Sequence, residues 1–148
     1  MSEKNLETVR RAYELNAQPG GWALIAEVSV PDAVMDFSLL YPDGPVLRGV
    51  DELRRFSEQT PWAGQLAFEV EELIRVDADR VLALVVVQAT GEASGVRIEN
   101  HVAHVHTLRD GKIAHWVAYG NRSEALEAVG LRAYGLPPVR WTPGVCCR

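Results

Sequence analysis

The residues best suited to chemistry are two histidines, an aspartate and a tyrosine. His104 and His106 stand two apart in Val102-Ala103-His104-Val105-His106. In a strand that spacing turns both rings to one face. Imidazole titrates near pH 6.5, so His104 can give or take a proton near neutrality and is a candidate general acid or base. A metal needs three or more converging ligands, and no third partner for His104 and His106 is identifiable, so no metal is expected. Asp36 is the candidate carboxylate. In an apolar pocket its pKa would rise, as a proton-abstracting base requires. Tyr13 lies on the apolar stripe of a helical stretch, where its hydroxyl can reach inward or its ring can simply pack. There is no Gly-rich phosphate loop, nucleophile elbow or Ser–His–Asp order, and no cofactor is implied.

These residues need elements to position them. Leu6, Val9, Ala12, Tyr13 and Asn16 recur at helical spacing, which predicts a helix over 5–17, capped by Asn5 or Ser2 and broken by Pro19-Gly20-Gly21. A short second helix follows from Trp22, and Pro31 is expected to end it. Residues 33–38 read as a strand, 46–48 as a second short one, and 51–59 as a third helix with Leu53 and Phe56 inward. From residue 65 the hydrophobic period becomes two. Four long strands, 65–76, 80–90, 96–108 and 112–119, then form an antiparallel meander. A last helix runs over 123–129 and stops at Gly130. Residues 132–148 hold Pro137, Pro138 and Pro143 and read as a tail after a single domain spanning 1–131.

Composition narrows the class. The 148 residues are 47% hydrophobic, which fits one globular domain and excludes wholesale disorder. The net charge of -5 and the scattered arginines argue against nucleic acid and anionic membranes as partners. No apolar run approaches the roughly 18 residues that span a bilayer, and no signal peptide is visible. Cys146 and Cys147 are adjacent and can build neither a disulfide framework nor a zinc site. The expectation is a reduced, cytoplasmic protein.

The last hairpin decides which residues share a face. If Arg109-Asp110-Gly111 is a three-residue loop with Gly111 at the left-handed position, His106 pairs with Ala114, His104 with Trp116 and Val102 with Ala118. One face then carries Asn100, Val102, His104, His106, Ala114, Trp116 and Ala118, with His106 near the rim. The other carries His101, Ile113, His115 and Tyr119. A two-residue loop on Asp110-Gly111 would instead bring Trp116 opposite Val105. The three-residue form is preferred, because Gly follows Asp at the left-handed site.

Helices followed by a long meander predict an α+β fold in which a sheet wraps around helices. The motifs Val9-Arg10-Arg11-Ala12-Tyr13-Glu14, Pro31-Asp32-Ala33-Val34, Arg48-Gly49-Val50-Asp51-Glu52-Leu53-Arg54-Arg55-Phe56, Thr107-Leu108-Arg109-Asp110-Gly111-Lys112-Ile113 and Arg122-Ser123-Glu124-Ala125-Leu126 carry a further signal. Together they resemble the SnoaL-like, ketosteroid-isomerase-like branch of the nuclear-transport-factor-2-like superfamily, over residues 5–131. The resemblance implies a cone-shaped curved antiparallel sheet around N-terminal helices, a hydrophobic pocket inside, and a homodimer through the outer sheet face. It also implies an oxyanion-donor position that falls on His104, with Trp116 beside it. The base position of the isomerases aligns with Phe37, so Asp36 serves only if a bulge or the loop after Ser38 turns it inward. Their first-helix tyrosine aligns with Arg11, two residues from Tyr13. Limonene epoxide hydrolases carry a water-activating triad that Leu84-Val85-Val86-Val87-Gln88 and Trp116-Val117-Ala118-Tyr119 lack. Trp22, Met35, Phe37, Tyr41, Phe56 and Trp62 can line the cone mouth, and each can equally be core. Two functions are therefore expected. One is a cofactor-free isomerase- or cyclase-like enzyme in which His104, Asp36 and Tyr13 move protons on a hydrophobic carbonyl-bearing or polycyclic substrate. The other is a non-catalytic hydrophobic-ligand-binding or dimeric interaction module.

Overall fold

The computed structural model describes residues 2–40, 42–59, 66–90 and 97–131, so the expectations for Tyr41, Trp62 and the tail with Cys146 and Cys147 fall outside the described residues. Helix α1, Ser2–Asn16, turns Val9, Ala12, Tyr13 and Leu15 into the interior. Asn5 does not cap it. Its side-chain amide donates to the carbonyl of Ala78 at 2.9 Å, and the Thr8 hydroxyl donates to the carbonyl of Gly111 at 3.0 Å. Each of those carbonyls belongs to a hairpin turn of the sheet, so α1 is fastened at two points one helical turn apart. A side chain at Gly21 would collide with the backbone of Asn16, which is why glycine stands where α2, Gly21–Leu24, folds back on α1.

A 3₁₀ turn, Ile25–Val28, leads into β1, Ser29–Asp36. Pro31 lies inside this strand and does not end the helix before it. The β1 ladder to its neighbour is irregular between Ser29 and Val34, so a residue with no N–H to offer is tolerated there. Strand β2, Val46–Arg48, and helix α3, Val50–Gln59, follow. The meander is β3, Ala67–Arg75; β4, Arg80–Thr90; β5, Arg97–Arg109; and β6, Lys112–Tyr119. Helix α4, Arg122–Ala128, begins one residue earlier than the sequence suggests, because Asn121 caps it by accepting from the Glu124 N–H at 3.2 Å.

The sheet order is β2-β1-β6-β5-β4-β3. It is mixed, not wholly antiparallel, since β1 runs parallel to β6. Two bulges bend it. Glu71 is the extra residue between Val70 and Glu72 on β3, and Ala114 is the extra residue on β6 opposite the step from Thr107 to Leu108.

The bulge at Ala114 corrects the hairpin. Asp110 and Gly111 both have positive φ, 56° and 78°, so the connection is a two-residue turn of the mirror-image type, and Arg109 pairs with Lys112. His106 therefore lies opposite Trp116, and His104 opposite Ala118. Ile113 joins the inner face, fully buried opposite Leu108, while Ala114 drops out of the paired ladder.

The inner core gathers Val9, Ala12, Tyr13, Trp22, Met35, Phe37, Leu53, Trp116 and Ala118 between α1–α3 and the sheet. A second core lies on the opposite face, where Ala125, Leu126 and Val129 pack on Leu82, Leu84, Ala103 and Val105. Part of the face expected to meet a second copy is thus covered by the chain's own last helix.

Candidate functional site

Tyr13 stands at the centre of the site. Its hydroxyl oxygen lies 2.6 Å from His104 Nδ1 and 2.8 Å from His106 Nε2. The two clamps on α1 fix its height over β5, and the strand period of two brings both rings up beneath it. His104 is 3% exposed and His106 is fully buried, so His106 is not a rim residue. Trp116 is also fully buried. Its ring centroid is 4.5 Å from that of His106 and 5.3 Å from that of His104. Phe68, which the sequence did not single out, meets His104 edge-on at 5.8 Å. The signal was available, since Phe68 and Val70 fall on the inner face of β3 by alternation before the Glu71 bulge.

Burial decides the charge states. Desolvation pushes the His104 pKa down to about 3, and it holds His106 well below the ordinary imidazole range, with repulsion from His104 adding to the effect. Burial raises the Tyr13 phenol well above its usual value. At neutral pH the cluster is an uncharged chain of three hydrogen-bonding groups. It is suited to donating hydrogen bonds and poorly suited to accepting a full proton.

The structure does not bring Asp36 to this cluster. Met35 and Phe37 point into the core, at 1% and 5% exposure, and Asp36 between them faces out. It pairs with Val117 and Val46 on the outer side. Its carboxylate accepts from the Ser38 hydroxyl at 2.6 Å and the Ser38 N–H at 2.9 Å. The hydroxyl is the main reason its pKa is lowered, with help from His115 and Arg48 despite partial desolvation. That shift is opposite to the one a buried base needs. No bulge turns Asp36 inward, and the expected His104–Asp36 pair does not exist.

Most of the remaining expected lining is packed ring against ring. Trp22 meets Phe37, Phe56 and Phe68 edge-on at 5.6, 5.8 and 5.7 Å. Met35 and Val102 are buried in the same core, whereas Asn100 lies further along the inner side of β5 and is exposed. An open groove of about 450 Å³ lies between α1 and β3, lined by Tyr13, by apolar Leu6, Val70 and Leu73, and by charged Arg10, Glu14, Glu71 and Glu72. Glu71, the bulge residue, accepts from the Arg122 guanidinium at 2.9 Å, which also donates to the carbonyls of Val85 and Val102. Among the described residues no cluster of three or more His, Cys, Asp or Glu side chains is placed to hold a metal ion.

The family described as the SnoaL-like domain matches residues 9–116, from the second turn of α1 to Trp116. The chain belongs to this family. No curated protein is significantly similar to it in sequence. Solved structures agree on the SnoaL-like fold at low identity. A protein described as a SnoaL-like polyketide cyclase from Jannaschia sp. CCS1 superposes with a TM-score of 0.65 at 18% identity, covering 86% of this chain and 92% of that one. TerC co-crystallised with polyporic acid gives 0.65 at 20% identity, with 86% and 98% covered. A Mycobacterium tuberculosis protein in complex with estradiol-17β-hemisuccinate gives 0.63 at 18%, with 81% and 95% covered. At these identities the likeness is one of fold. Among the described residues no helix is long and apolar enough to cross a membrane.

Proposed function

We propose that this SnoaL-like chain takes a hydrophobic carbonyl-bearing or polycyclic small molecule and acts on it without a cofactor, by hydrogen bonding and proton transfer at the carbonyl oxygen. The observation that carries the reading is the 2.6 Å approach of Tyr13 Oη to His104 Nδ1 inside an aromatic wall. Neutral donors in a dry site stabilise a developing oxyanion far better than they would in water. A neutral imidazole can polarise a carbonyl, as an electrophile and not as a base. Two fold neighbours hold flat or polycyclic oxygenated molecules, polyporic acid and estradiol hemisuccinate, which supports the same ligand chemistry here. The test is to screen hydrophobic ketones and polycyclic phenols by thermal shift, then follow any binder for turnover. His104→Ala should abolish turnover while the protein stays folded. Undiminished turnover would end the proposal.

The outward placement and lowered pKa of Asp36 favour a second reading, in which the same site binds such a molecule and leaves it unchanged. A binder recovered intact after long incubation selects that reading. We place the protein in the cytoplasm as a homodimer. The outer face not covered by α4 offers Val34, His115 and Val117 for the contact. A monomer by sedimentation at tens of micromolar would exclude the dimer.

A further inference from the structure

We infer that His106 is a positioning residue: it donates through Nε2 to the Tyr13 oxygen, which commits the Tyr13 proton to His104 Nδ1 and leaves His104 presenting Nε2–H. The ligand atom it meets is then an acceptor, a carbonyl or quinone-type oxygen, and not a hydroxyl donor. The second step rests on the proposed function; the first does not.

One hydroxyl proton lies between two ring nitrogens, at 2.6 and 2.8 Å, and both rings are neutral. A neutral imidazole carries a hydrogen on one nitrogen only. Two ordered arrangements satisfy both contacts. In the first, His106 Nε2–H donates to Tyr13 and Tyr13 donates to His104 Nδ1. In the second, every arrow reverses. For the hydroxyl to accept from both rings, it would have to turn its own proton away from both nitrogens, and Tyr13 has no third partner among the described residues.

The far side of His106 separates the two arrangements. Its Nδ1 is buried with no hydrogen-bond partner, and so is Nε1 of Trp116, whose ring is the neighbour at 4.5 Å. The indole nitrogen can only donate. In the reversed arrangement His106 Nδ1 carries a hydrogen, and two donors on neighbouring rings are sealed with nothing to accept them. Buried N–H groups with no acceptor are rarer in folded proteins than under-satisfied acceptors. In the first arrangement Nδ1 is a bare acceptor beside the indole donor, so the two orphaned atoms are chemically complementary. His104 Nε2 differs from both. It has no partner among the described residues, it is not among the sealed orphan atoms, and His104 as a residue keeps the 3% exposure that His106 lacks. It is the end of the chain that can face a ligand.

The test is long-range ¹H–¹⁵N correlation on the ¹⁵N-labelled full chain at pH 7, which reads the tautomer of each imidazole. Expected are the Nε2–H form for both His104 and His106, unchanged from pH 5.5 to 8. The Nδ1–H form at either ring overturns the inference. His106→Gln keeps a side-chain N–H donor and should hold His104 in its form. His106→Leu removes the donor and should let His104 populate both tautomers. If the Leu variant does not fold, the wild-type and Gln spectra still decide. For the ligand class, 2-acetonaphthone is compared with its oxygen-free isostere 2-isopropenylnaphthalene by tryptophan quenching. The ketone should bind about tenfold tighter, the value of one net hydrogen bond near 1.4 kcal/mol. Equal binding, or binding of neither, overturns the acceptor assignment; neither binding also counts against the proposed function. The direction of the proton chain stands or falls on the spectra.

Discussion

The chain has two histidines on each face of one sheet, and they have opposite fates. His104 and His106 are buried against Tyr13 and Trp116, while His101 and His115 are exposed on the side where Asp36 sits. On β5 only strand parity separates His101 from His104, since both lie in the same ladder against β4. The inner pair has lost its charge to desolvation and taken up a defined hydrogen-bond chain. The outer pair remains in contact with water. The same residue type therefore serves as a fixed dipole on one face and as a solvated group on the other, and the sheet's alternation makes the choice.

The largest effect that would sharpen this contrast is Trp116→Ala. It empties a fully buried indole site beside both inner rings and should cost about 3–5 kcal/mol by denaturant titration. A cost below 1 kcal/mol would mean the inner wall is not closely packed. Acid comes next. The inner histidines bind protons less readily folded than unfolded, so their contribution is fully present above pH ~6.5. It is lost as pH falls from there, for His104 toward about 3 and for His106 in the same direction. Each should drain up to about 1.4 kcal/mol per pH unit across that window. The carboxylates Asp32, Asp36 and Asp77, also lowered, act in the same direction but only at more acid pH. Midpoints measured from pH 7 to 4.5 should flatten in a His104→Gln/His106→Gln variant. An undiminished slope would mean that the inner pair is not what acid attacks. Tyr13→Phe should cost about 1–3 kcal/mol, because two buried imidazoles lose a partner at once. Smallest of all, Asp36→Asn should change the affinity of any inner-face ligand by less than about twofold, and stability by about 0.5 kcal/mol at most. A tenfold loss of binding would return Asp36 to the site.

Much of this was legible in the alternation. The inner grouping of His104, His106, Trp116 and Ala118 follows from parity, and so does the outward direction of Asp36 between Met35 and Phe37. The hairpin shows why parity can survive a wrong register. The two-residue turn shifts the pairing by one, and the bulge at Ala114 shifts it by one again, so Trp116 returns to the expected face against a different partner. Ile113, on the turn side of that bulge, does not benefit and changes face. A bulge leaves little mark in composition, because what creates it is the fit of a whole strand against its neighbours. The meeting of Tyr13 with both histidines was also hidden. It depends on how far α1 slides along the sheet, and the two side-chain bonds that fix this reach across 73 and 103 residues. The covering of the outer face by α4 was legible only as a helix, not as a place. Pro31 misled because proline normally ends helices, and here an irregular ladder accommodates it.

Those two long-range bonds have a consequence for assembly. The Asn5 bond requires the β3–β4 turn, and the Thr8 bond requires the β5–β6 turn, so α1 cannot settle until nearly the whole meander has been synthesised and paired. Contacts of such high sequence separation are slow to form and are absent from early, locally ordered states. On a ribosome the first helix emerges with its apolar stripe uncovered and must wait for the last strand. The Tyr13 site is therefore assembled late, from the two ends of the domain, and any truncation that removes the β5–β6 turn and β6 removes one of the two locks on the helix and one wall of the site.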